Sequence, residues 1–255
     1  MARPASRDEV ERFVRETEPS GYMAVPLPHG LELPGRGRAR ALDLVFSGGV
    51  AGKRVLDVGT YYGFYPIEAL RRGAAAAVGV EPDPERFAVA RKIASLYGDA
   101  YQVLNARAEE LALSEPFDLV LFMNVLHHVL DPIAAVANLA RLSRGRVVIE
   151  FCLPSDPALL NYLDGDTESP SLYEKLRARA WSLALRALPR SLPLMAIGPR
   201  AYHRTFYFTP AAFRNLFVAQ HRLFADVEFH PGVTAPQRVV ALCQVRDRFV
   251  SRSDA

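Results

Sequence analysis

The segment from Val55 to Leu70 reads VLDVGTYYGFYPIEAL, and the fold of the whole chain is decided here. Val55–Val58 is a short run that is apolar except for Asp57, and such runs are typical of a strand buried on both faces. Gly59 and Gly63 follow it, and because glycine tolerates positive φ angles they predict a tight turn with close backbone approach to a ligand. A helix comes next, so the segment is a strand–turn–helix unit in which Tyr61 stands where a nucleotide loop would carry a middle glycine.

Outward from this unit, apolar runs alternate with helical segments. The runs predict buried strands at Val55–Val58, Ala76–Val80, Tyr101–Leu104, Phe117–Met123 and Arg146–Phe151. Helices are predicted between them at Phe64–Arg72, Pro84–Tyr97, Ala108–Leu113 and Pro132–Leu142. This alternation predicts an α/β fold with a parallel sheet covered by helices on both faces. After a helix at Pro210–Gln220, two strands joined by a short link predict an antiparallel pair, Ala225–His230 and Arg238–Arg246.

Interruptions in this alternation of strands and helices divide the chain into four predicted regions. Residues 1–52 form an N-terminal cap that begins with an amphipathic helix, and residues 53–151 form a ligand-binding core. Residues 152–205 carry many prolines and arginines around an amphipathic helix, and we expect them to form a lid over the substrate. Residues 206–255 return to the core with the helix and the strand pair.

Composition excludes several classes of protein. The chain has 255 residues, is 50% hydrophobic and carries a formal net charge of +3, which is too weakly basic to indicate nucleic-acid binding by itself. No transmembrane segment and no secretory leader are predicted. Two cysteines, Cys152 and Cys243, lie far apart, so neither a disulfide framework nor a metal site is expected. A cytoplasmic location is therefore expected.

The residues after the strands indicate which ligand the core binds. Glu81 follows the second strand, 24 residues after Asp57, and its carboxylate can accept hydrogen bonds from both hydroxyls of a ribose. The motif G-x-G-x-x-G, which would hold a pyrophosphate, is absent, and so is the lysine pattern of a phosphate loop. A nucleoside without phosphates fits better than a dinucleotide.

Four motifs in order resemble those of the class I S-adenosylmethionine-dependent methyltransferases. They are VLDVGTYYG, VGVEPD, ARAEEL and FDLVLFMNVLHHVLDP, and together they cover roughly Lys53–Phe151. The resemblance implies a Rossmann-like seven-stranded methyltransferase sheet with strand order 3-2-1-4-5-7-6 and a reversed seventh strand, plus the N-terminal helical cap and the lid insertion. It also implies S-adenosyl-L-methionine as cofactor, bound by Asp57, Gly59, Thr60, Tyr61, Gly63, Glu81, Ala108 and Asn124.

Within that family, the resemblance implies a particular role for each contact. Asp57 would help to fix the amino group of the cofactor, Glu81 would bind the ribose diol, and the backbone of Ala108 would meet the adenine. The segment from Leu27 to Ala74 is further similar to relatives of the bacterial tRNA wobble-uridine methyltransferase, which uses a carboxylated cofactor. Tyr61, in place of glycine, and Arg107, where an acidic residue is common, depart from the family pattern.

Candidates for catalysis and acceptor binding follow the same strand ends. His127, directly after strand four, and His203, in the lid, are the predicted general bases, because a hydroxyl acceptor has to lose a proton. Tyr62 and Tyr65 are predicted to contact the substrate, and Glu150 either contacts the substrate or is the buried partner of an arginine. In the lid, an apolar helix face is predicted from Leu172, Leu176, Trp181, Leu183 and Leu185, and it packs either on the core, on a membrane or on a partner.

The sequence therefore predicts an enzyme that methylates a small molecule, in all expectation a biosynthetic intermediate. Three alternatives stay open. The acceptor can be tRNA or another RNA, the transferred group can be carboxymethyl, or the chain can bind the cofactor without catalysis as a partner subunit. An apolar lid would favour a hydrophobic or aromatic acceptor, and an exposed basic lid would favour RNA.

Overall fold

The protein is described here from a computed structural model. The structure describes residues 3–18, 22–35, 41–154, 191–197 and 206–246, together with seven helical positions between 172 and 187. Most of the predicted lid, including His203, Trp181 and Leu185, lies outside the described residues. The same holds for the arginines at 36, 38 and 40.

Seven strands form the central sheet, as predicted. They are β3 (Arg54–Val58), β4 (Ala76–Val80), β5 (Tyr101–Leu104), β6 (Phe117–Phe122), β7 (Ser143–Cys152), β10 (Phe224–Pro231) and β11 (Arg238–Val245). Their order is β5-β4-β3-β6-β7-β11-β10. The first five are parallel, and β11 pairs antiparallel with both β7 and β10. Numbered along the sheet-forming strands, this is the order 3-2-1-4-5-7-6, so the predicted fold is confirmed.

Two small sheets lie outside the central one. β1 (Val25–Pro26) pairs with β2 (Glu32–Leu33), and β8 (Met195–Ile197) pairs with β9 (Phe206–Phe208). Because β8 pairs with β9, the end of the predicted lid and the start of the C-terminal region share one antiparallel hairpin.

The helices cover both faces of the sheet. They are α1 (Arg7–Glu16), α2 (Leu42–Val45), α3 (Phe64–Arg71), α4 (Pro84–Ser95), α5 (Pro132–Arg141) and α6 (Pro210–Phe213), which continues as a π-helix over Arg214–Gln220. The N-terminal region, α2, α3 and α4 pack on one face. The other face is covered by α5, α6 and the π-helix. Apolar burial on both faces explains why the strand sequences lack polar alternation.

Local capping sets several helix starts. Asp83 and Asp131 each accept two backbone N–H bonds at the start of α4 and α5, with proline at the first helical position.

The predicted helix at Ala108–Leu113 is wrong, because these residues form a turn. There, the Glu109 carboxylate accepts hydrogen bonds from the backbone of Leu130 and Asp131 and so joins this turn to the segment after β6.

The described part of the lid helix exposes its apolar side chains. Leu172, Leu176 and Leu183 are 73%, 55% and 67% exposed. Of the three alternatives for this helix face, packing on the protein's own core is thus not observed at these three positions.

Candidate functional site

The turn after β3 is fixed to the end of β4. The backbone N–H groups of Gly59 and Thr60 both donate to the Val80 carbonyl, at 2.8 and 2.9 Å. Gly59 and Gly63 have φ angles of 80° and 93°, in the left-handed region that was predicted from the sequence. These bonds place the backbone of the turn at the carboxyl edge of the sheet, where β3 and β6 diverge.

Internal packing excludes side chains at both glycines. A Cβ atom at Gly59 would lie 2.3 Å from the Val125 side chain, and one at Gly63 would lie 2.2 Å from the Tyr101 hydroxyl. The turn was predicted correctly, and this packing is a second reason for glycine beside the predicted close approach of a ligand. Val125 and Tyr101 fill the space that glycine leaves open.

A buried polar cluster lies beneath this turn. It consists of Asp57, Thr60 and Tyr101, each at most 2% exposed. Burial raises the pKa of the Asp57 carboxyl to about 7, against the lowering effect of the Thr60 hydroxyl, and the negative charge of Glu81 raises it further. Asp57 Oδ2, Thr60 Oγ1 and the Tyr101 hydroxyl face one another, and none of them bonds to a described residue outside the cluster. The cluster can therefore accept a ligand donor from above.

Glu81 is held in place by the backbone at the end of β4. Its Oε2 accepts a bond from the Tyr61 N–H at 2.9 Å, and its Oε1 accepts one from the Asp83 N–H at 3.2 Å. Burial raises the pKa of the Glu81 carboxyl, while these two donors lower it. Each carboxylate oxygen still has a second lone pair, so the group can accept from a diol without losing its backbone bonds.

Asn124 and Ala108 mark two further positions around the same edge. Asn124 follows β6 with a φ of 63°, and its side-chain Oδ1 is buried without a hydrogen-bond partner in the described part of the chain. Ala108 is buried, and its carbonyl accepts from the Asn138 side chain at 2.8 Å. The predicted cofactor residues thus follow β3, β4, β5 and β6 at one edge of the sheet.

The three tyrosines of the opening segment separate into two groups. Tyr61 and Tyr62 are half-buried and stack with ring centroids 4.3 Å apart. Tyr65 is 7% exposed and packs in the apolar cluster below the N-terminal region. Of the two predicted substrate contacts in this segment, Tyr62 remains accessible, whereas Tyr65 contributes to the core.

The N-terminal region contributes a tyrosine that sequence reasoning missed. The Tyr22 hydroxyl accepts a hydrogen bond from Asn124 Nδ2 at 2.7 Å, and its ring meets Tyr61 edge-on, with centroids 5.3 Å apart. No local motif signals this contact, because the two hydrogen-bonded residues are 102 positions apart.

Of the two predicted bases, one is described, and it is buried. His127 has no exposed surface, and its Nδ1 lies 3.6 Å from the thiol sulfur of Cys152 on β7. The neighbouring His128 is exposed, with its ring centroid 4.0 Å from that of His127. His127, predicted as a general base, is therefore buried against Cys152 at the end of β7.

Glu150 forms a buried ion pair with an arginine, which is the second of its two predicted roles. Its Oε1 lies 3.7 Å from Arg238 Nη1, and the Thr234 hydroxyl donates to the same oxygen. The side chains of Glu150 and Arg238 are 2% and 8% exposed. Arg238 was missed because its pairing depends on β11 entering the sheet beside β7. The sequence signal for this pairing was an arginine at the start of an apolar strand.

The described residues form neither a metal-binding cluster nor a membrane-spanning helix. Among them, no three His, Cys, Asp or Glu side chains cluster in a way that could hold a metal ion. No helix in the described segments has both the length and the apolar character needed to cross a membrane.

The geometry favours an uncharged or cationic nucleoside ligand over a phosphorylated one. Carboxylates of Asp57 and Glu81 lie below and beside the turn, and both would repel a phosphate. A ribose diol and an ammonium group would satisfy them instead. The neighbouring groove, with a volume of about 480 Å³, is lined by Tyr61, Tyr62 and Arg86.

Comparison with known proteins points the same way. A family model described as a methyltransferase domain matches residues 30–220. The chain is 39% identical over 127 residues to a tRNA U34 carboxymethyltransferase of Dichelobacter nodosus, covering 49% of this chain and 40% of that protein. It is also 39% identical over 123 residues to a ubiquinone biosynthesis O-methyltransferase of Aeromonas salmonicida, covering 47% and 51%. The chain thus spans about half, or less, of the length of these curated relatives.

Solved structures share the fold. The N-terminal domain of EvdMO1 with SAH bound superposes with a TM-score of 0.57 and 18% identity, covering 95% of this chain and 98% of that one.

Proposed function

Because the chain belongs to the methyltransferase-domain family, we propose that it transfers a methyl group from S-adenosyl-L-methionine to a small-molecule acceptor. The observation that carries the proposal is the Glu81 carboxylate, fixed at the end of β4 beside buried oxygens of Asp57, Thr60 and Asn124. No described residue outside the Asp57–Thr60–Tyr101 cluster engages these oxygens. S-Adenosylmethionine supplies a methyl group on a sulfonium, and the protein positions the acceptor and excludes water.

The residues of the site fit this cofactor. Glu81 would accept the ribose hydroxyls, and Asp57 with Thr60 would meet the amino group of the methionine part. Ala108 would meet the adenine through its backbone, and Asn124 would lie at the methionine end. Because these contacts need no phosphate-binding group, they explain how the turn works without a middle glycine.

Replacing Glu81 tests the cofactor assignment. We expect Glu81→Ala to weaken binding of S-adenosylhomocysteine by about 10- to 150-fold, or about 1.5–3 kcal/mol, since a charged acceptor loses its bonds to the ligand. Calorimetric titration measures the dissociation constant of each variant.

The matched control is Glu228→Ala, which removes an exposed carboxylate from the edge strand β10. Its dissociation constant should stay within twofold of wild type. Unchanged affinity in a folded Glu81→Ala variant, or tight binding of NAD in preference to S-adenosylhomocysteine, would reject the assignment.

The raised pKa of Asp57 predicts opposite pH trends for stability and binding. In the free protein this carboxyl titrates near pH 7, against 3.8 as its ordinary value, so the folded state holds the proton more strongly than the unfolded state. Its contribution to stability is therefore fully present below about pH 4 and is lost as the pH rises through 7. A cofactor ammonium favours the ionised carboxylate, so binding should strengthen over the same interval.

The ionisation of Asp57 on cofactor binding can be measured through the proton that it releases. Below pH 7, cofactor binding should release a proton, which appears as a dependence of the calorimetric heat on the ionisation enthalpy of the buffer. Asp57→Asn should abolish the release attributable to this site and flatten the stability profile between pH 4 and 7. The same proton release in Asp57→Asn and wild type would assign it to another group.

A small acceptor is supported by the modest net charge of +3 and by the aromatic rim of Tyr22, Tyr61 and Tyr62. The direct test incubates the protein with S-adenosylmethionine carrying a labelled methyl group and with either phenolic and catecholic compounds or unmodified tRNA. Label in the small molecules supports the proposal. Label in the tRNA alone would favour RNA modification, and binding without any transfer would favour a cofactor-binding partner subunit.

Carboxymethyl transfer is a second candidate, favoured by Arg238 at the carboxyl edge beside β7. Its Nη1 lies 3.7 Å from Glu150 and makes no hydrogen bond among the described residues, so it can still donate to a carboxylate on the cofactor. Titration with the carboxylated cofactor and with S-adenosylmethionine separates the two functions. At least tenfold tighter binding of the carboxylated form, lost in Arg238→Gln, would favour the second.

A further inference from the structure

Tyr22 lies over the point where the strand order of the sheet reverses. Its hydroxyl contacts Asn124, two residues after β6, and its ring contacts Tyr61, in the turn after β3. β3 and β6 are neighbouring parallel strands, and the chain runs outward in opposite directions from them. Ligands of doubly wound sheets bind at this reversal, so Tyr22 spans the opening of the cleft.

Both residues that Tyr22 contacts have unusual backbone conformations. Asn124 and Tyr61 have φ angles of 63° and 56°, and they are two of four non-glycine residues with positive φ in the described segments. Such conformations are unfavourable and persist where surrounding contacts enforce them, often at ligand sites. The contacts of Tyr22 thus join two strained positions, one on each side of the cleft.

The contact with Tyr22 also determines how Asn124 presents its carboxamide. Nδ2 is engaged by the Tyr22 hydroxyl at 2.7 Å, whereas Oδ1 is buried and has no partner among the described residues. An amide held by its nitrogen offers its oxygen, which accepts hydrogen bonds from N–H or O–H groups.

The aromatic contacts continue from Tyr22 toward the ribose end. Tyr61 stacks on Tyr62, and the Arg86 guanidinium lies over the Tyr61 ring at 5.4 Å from its centroid. Three rings and a cation therefore form one wall from Asn124 to the start of α4. This wall lines one side of the cleft.

We propose that Tyr22 is a positioning residue for the transfer reaction, which holds Asn124 with its oxygen toward the ligand and closes the methionine end of the cofactor cleft. This inference rests on the proposed function. It assigns the N-terminal region a direct part in the site, in addition to its packing on the sheet.

The test compares two tyrosines that attach the same N-terminal region to the core. Tyr22→Phe removes the hydroxyl that holds Asn124. Tyr97→Phe removes a hydroxyl that donates to the Pro26 carbonyl at 2.8 Å, away from Asn124. The probe is S-adenosylhomocysteine, with its affinity measured by calorimetry and its dissociation rate by stopped-flow displacement.

We expect Tyr22→Phe to raise the dissociation rate about three- to tenfold, the effect of losing one hydrogen bond. Tyr22→Ala should raise it further, because the ring is lost as well. Tyr97→Phe should stay within twofold of wild type. Thermal unfolding of each variant checks that the fold is kept.

Each other outcome overturns the inference. Equal acceleration in Tyr22→Phe and Tyr97→Phe would show that Tyr22 only anchors the N-terminal region. An unchanged rate in Tyr22→Phe would remove its hydroxyl from the site, and tighter binding would show that it obstructs the cofactor. Failure of the wild type to bind S-adenosylhomocysteine would instead reject the proposed function itself.

Discussion

We expect Gly63→Ala to lower the free energy of unfolding by about 2–6 kcal/mol, through two separable causes. The backbone at Gly63 has a φ of 93°, which strains any residue with a side chain. The added Cβ would also lie 2.2 Å from the Tyr101 hydroxyl, deep beneath the turn. Overpacking of this kind costs about 1–3 kcal/mol beyond the backbone strain. Denaturant unfolding of wild type and variant measures the sum.

Two further variants separate the causes. Gly52→Ala has a similar φ of 71° but open space around the new Cβ, so it should show the strain alone, about 1–3 kcal/mol. Adding Tyr101→Phe to Gly63→Ala removes the clashing oxygen and should recover part of the loss. If the double variant is no more stable than Gly63→Ala, the Tyr101 hydroxyl is not what excludes a side chain at this position.

A second large effect is expected at the buried ion pair. Glu150→Leu leaves the Arg238 guanidinium buried without its counter-charge, and breaking such a pair by removing one partner costs about 3–5 kcal/mol. Arg238→Met should destabilise the protein by a similar amount, because it leaves the Glu150 carboxylate in the same position. Thermal and denaturant unfolding of both single variants provide the measurement.

The double variant Glu150→Leu with Arg238→Met should regain most of this stability, since apolar side chains of similar size can replace a buried pair at little cost. A loss equal to the sum of the two single losses would show that the charges do not interact. A folded double variant also tests whether the ion pair contributes to cofactor binding. If it binds cofactor normally, the pair contributes to the fold alone.

The sheet was predictable because the relevant information is local. Each strand is a short, mainly apolar run, α4 and α5 each begin with an Asp-Pro cap such as Asp83-Pro84, and both signals can be read within about ten residues. The order of the strands came from the resemblance of four motifs. The false helix at Ala108–Leu113 shows the limit, because the Glu109 carboxylate contacts the backbone at Leu130, 21 residues away.

Side-chain directions in the site could not be predicted in the same way. His127 and His128 are adjacent in sequence, yet the contact with Cys152 on β7 buries the first and leaves the second exposed. The contact between Tyr22 and Asn124 and the pair of Glu150 with Arg238 likewise join residues that are distant in sequence. Such contacts depend on how separate elements pack, which no local pattern encodes.

β10 is an edge strand of the central sheet, and its side chains determine whether another strand can pair with that edge. Asp226 and Glu228 project charged, exposed side chains from this edge, a register shift follows Phe224, and Pro231 closes the strand. Edges that carry charge, irregularity and proline resist pairing with strands of other molecules. The opposite edge, β5, has four residues and offers little length for such pairing. Both margins of the sheet are thus protected against intermolecular β-sheet growth, so neutralising the charges on β10 would show first as aggregation and only later as loss of structure.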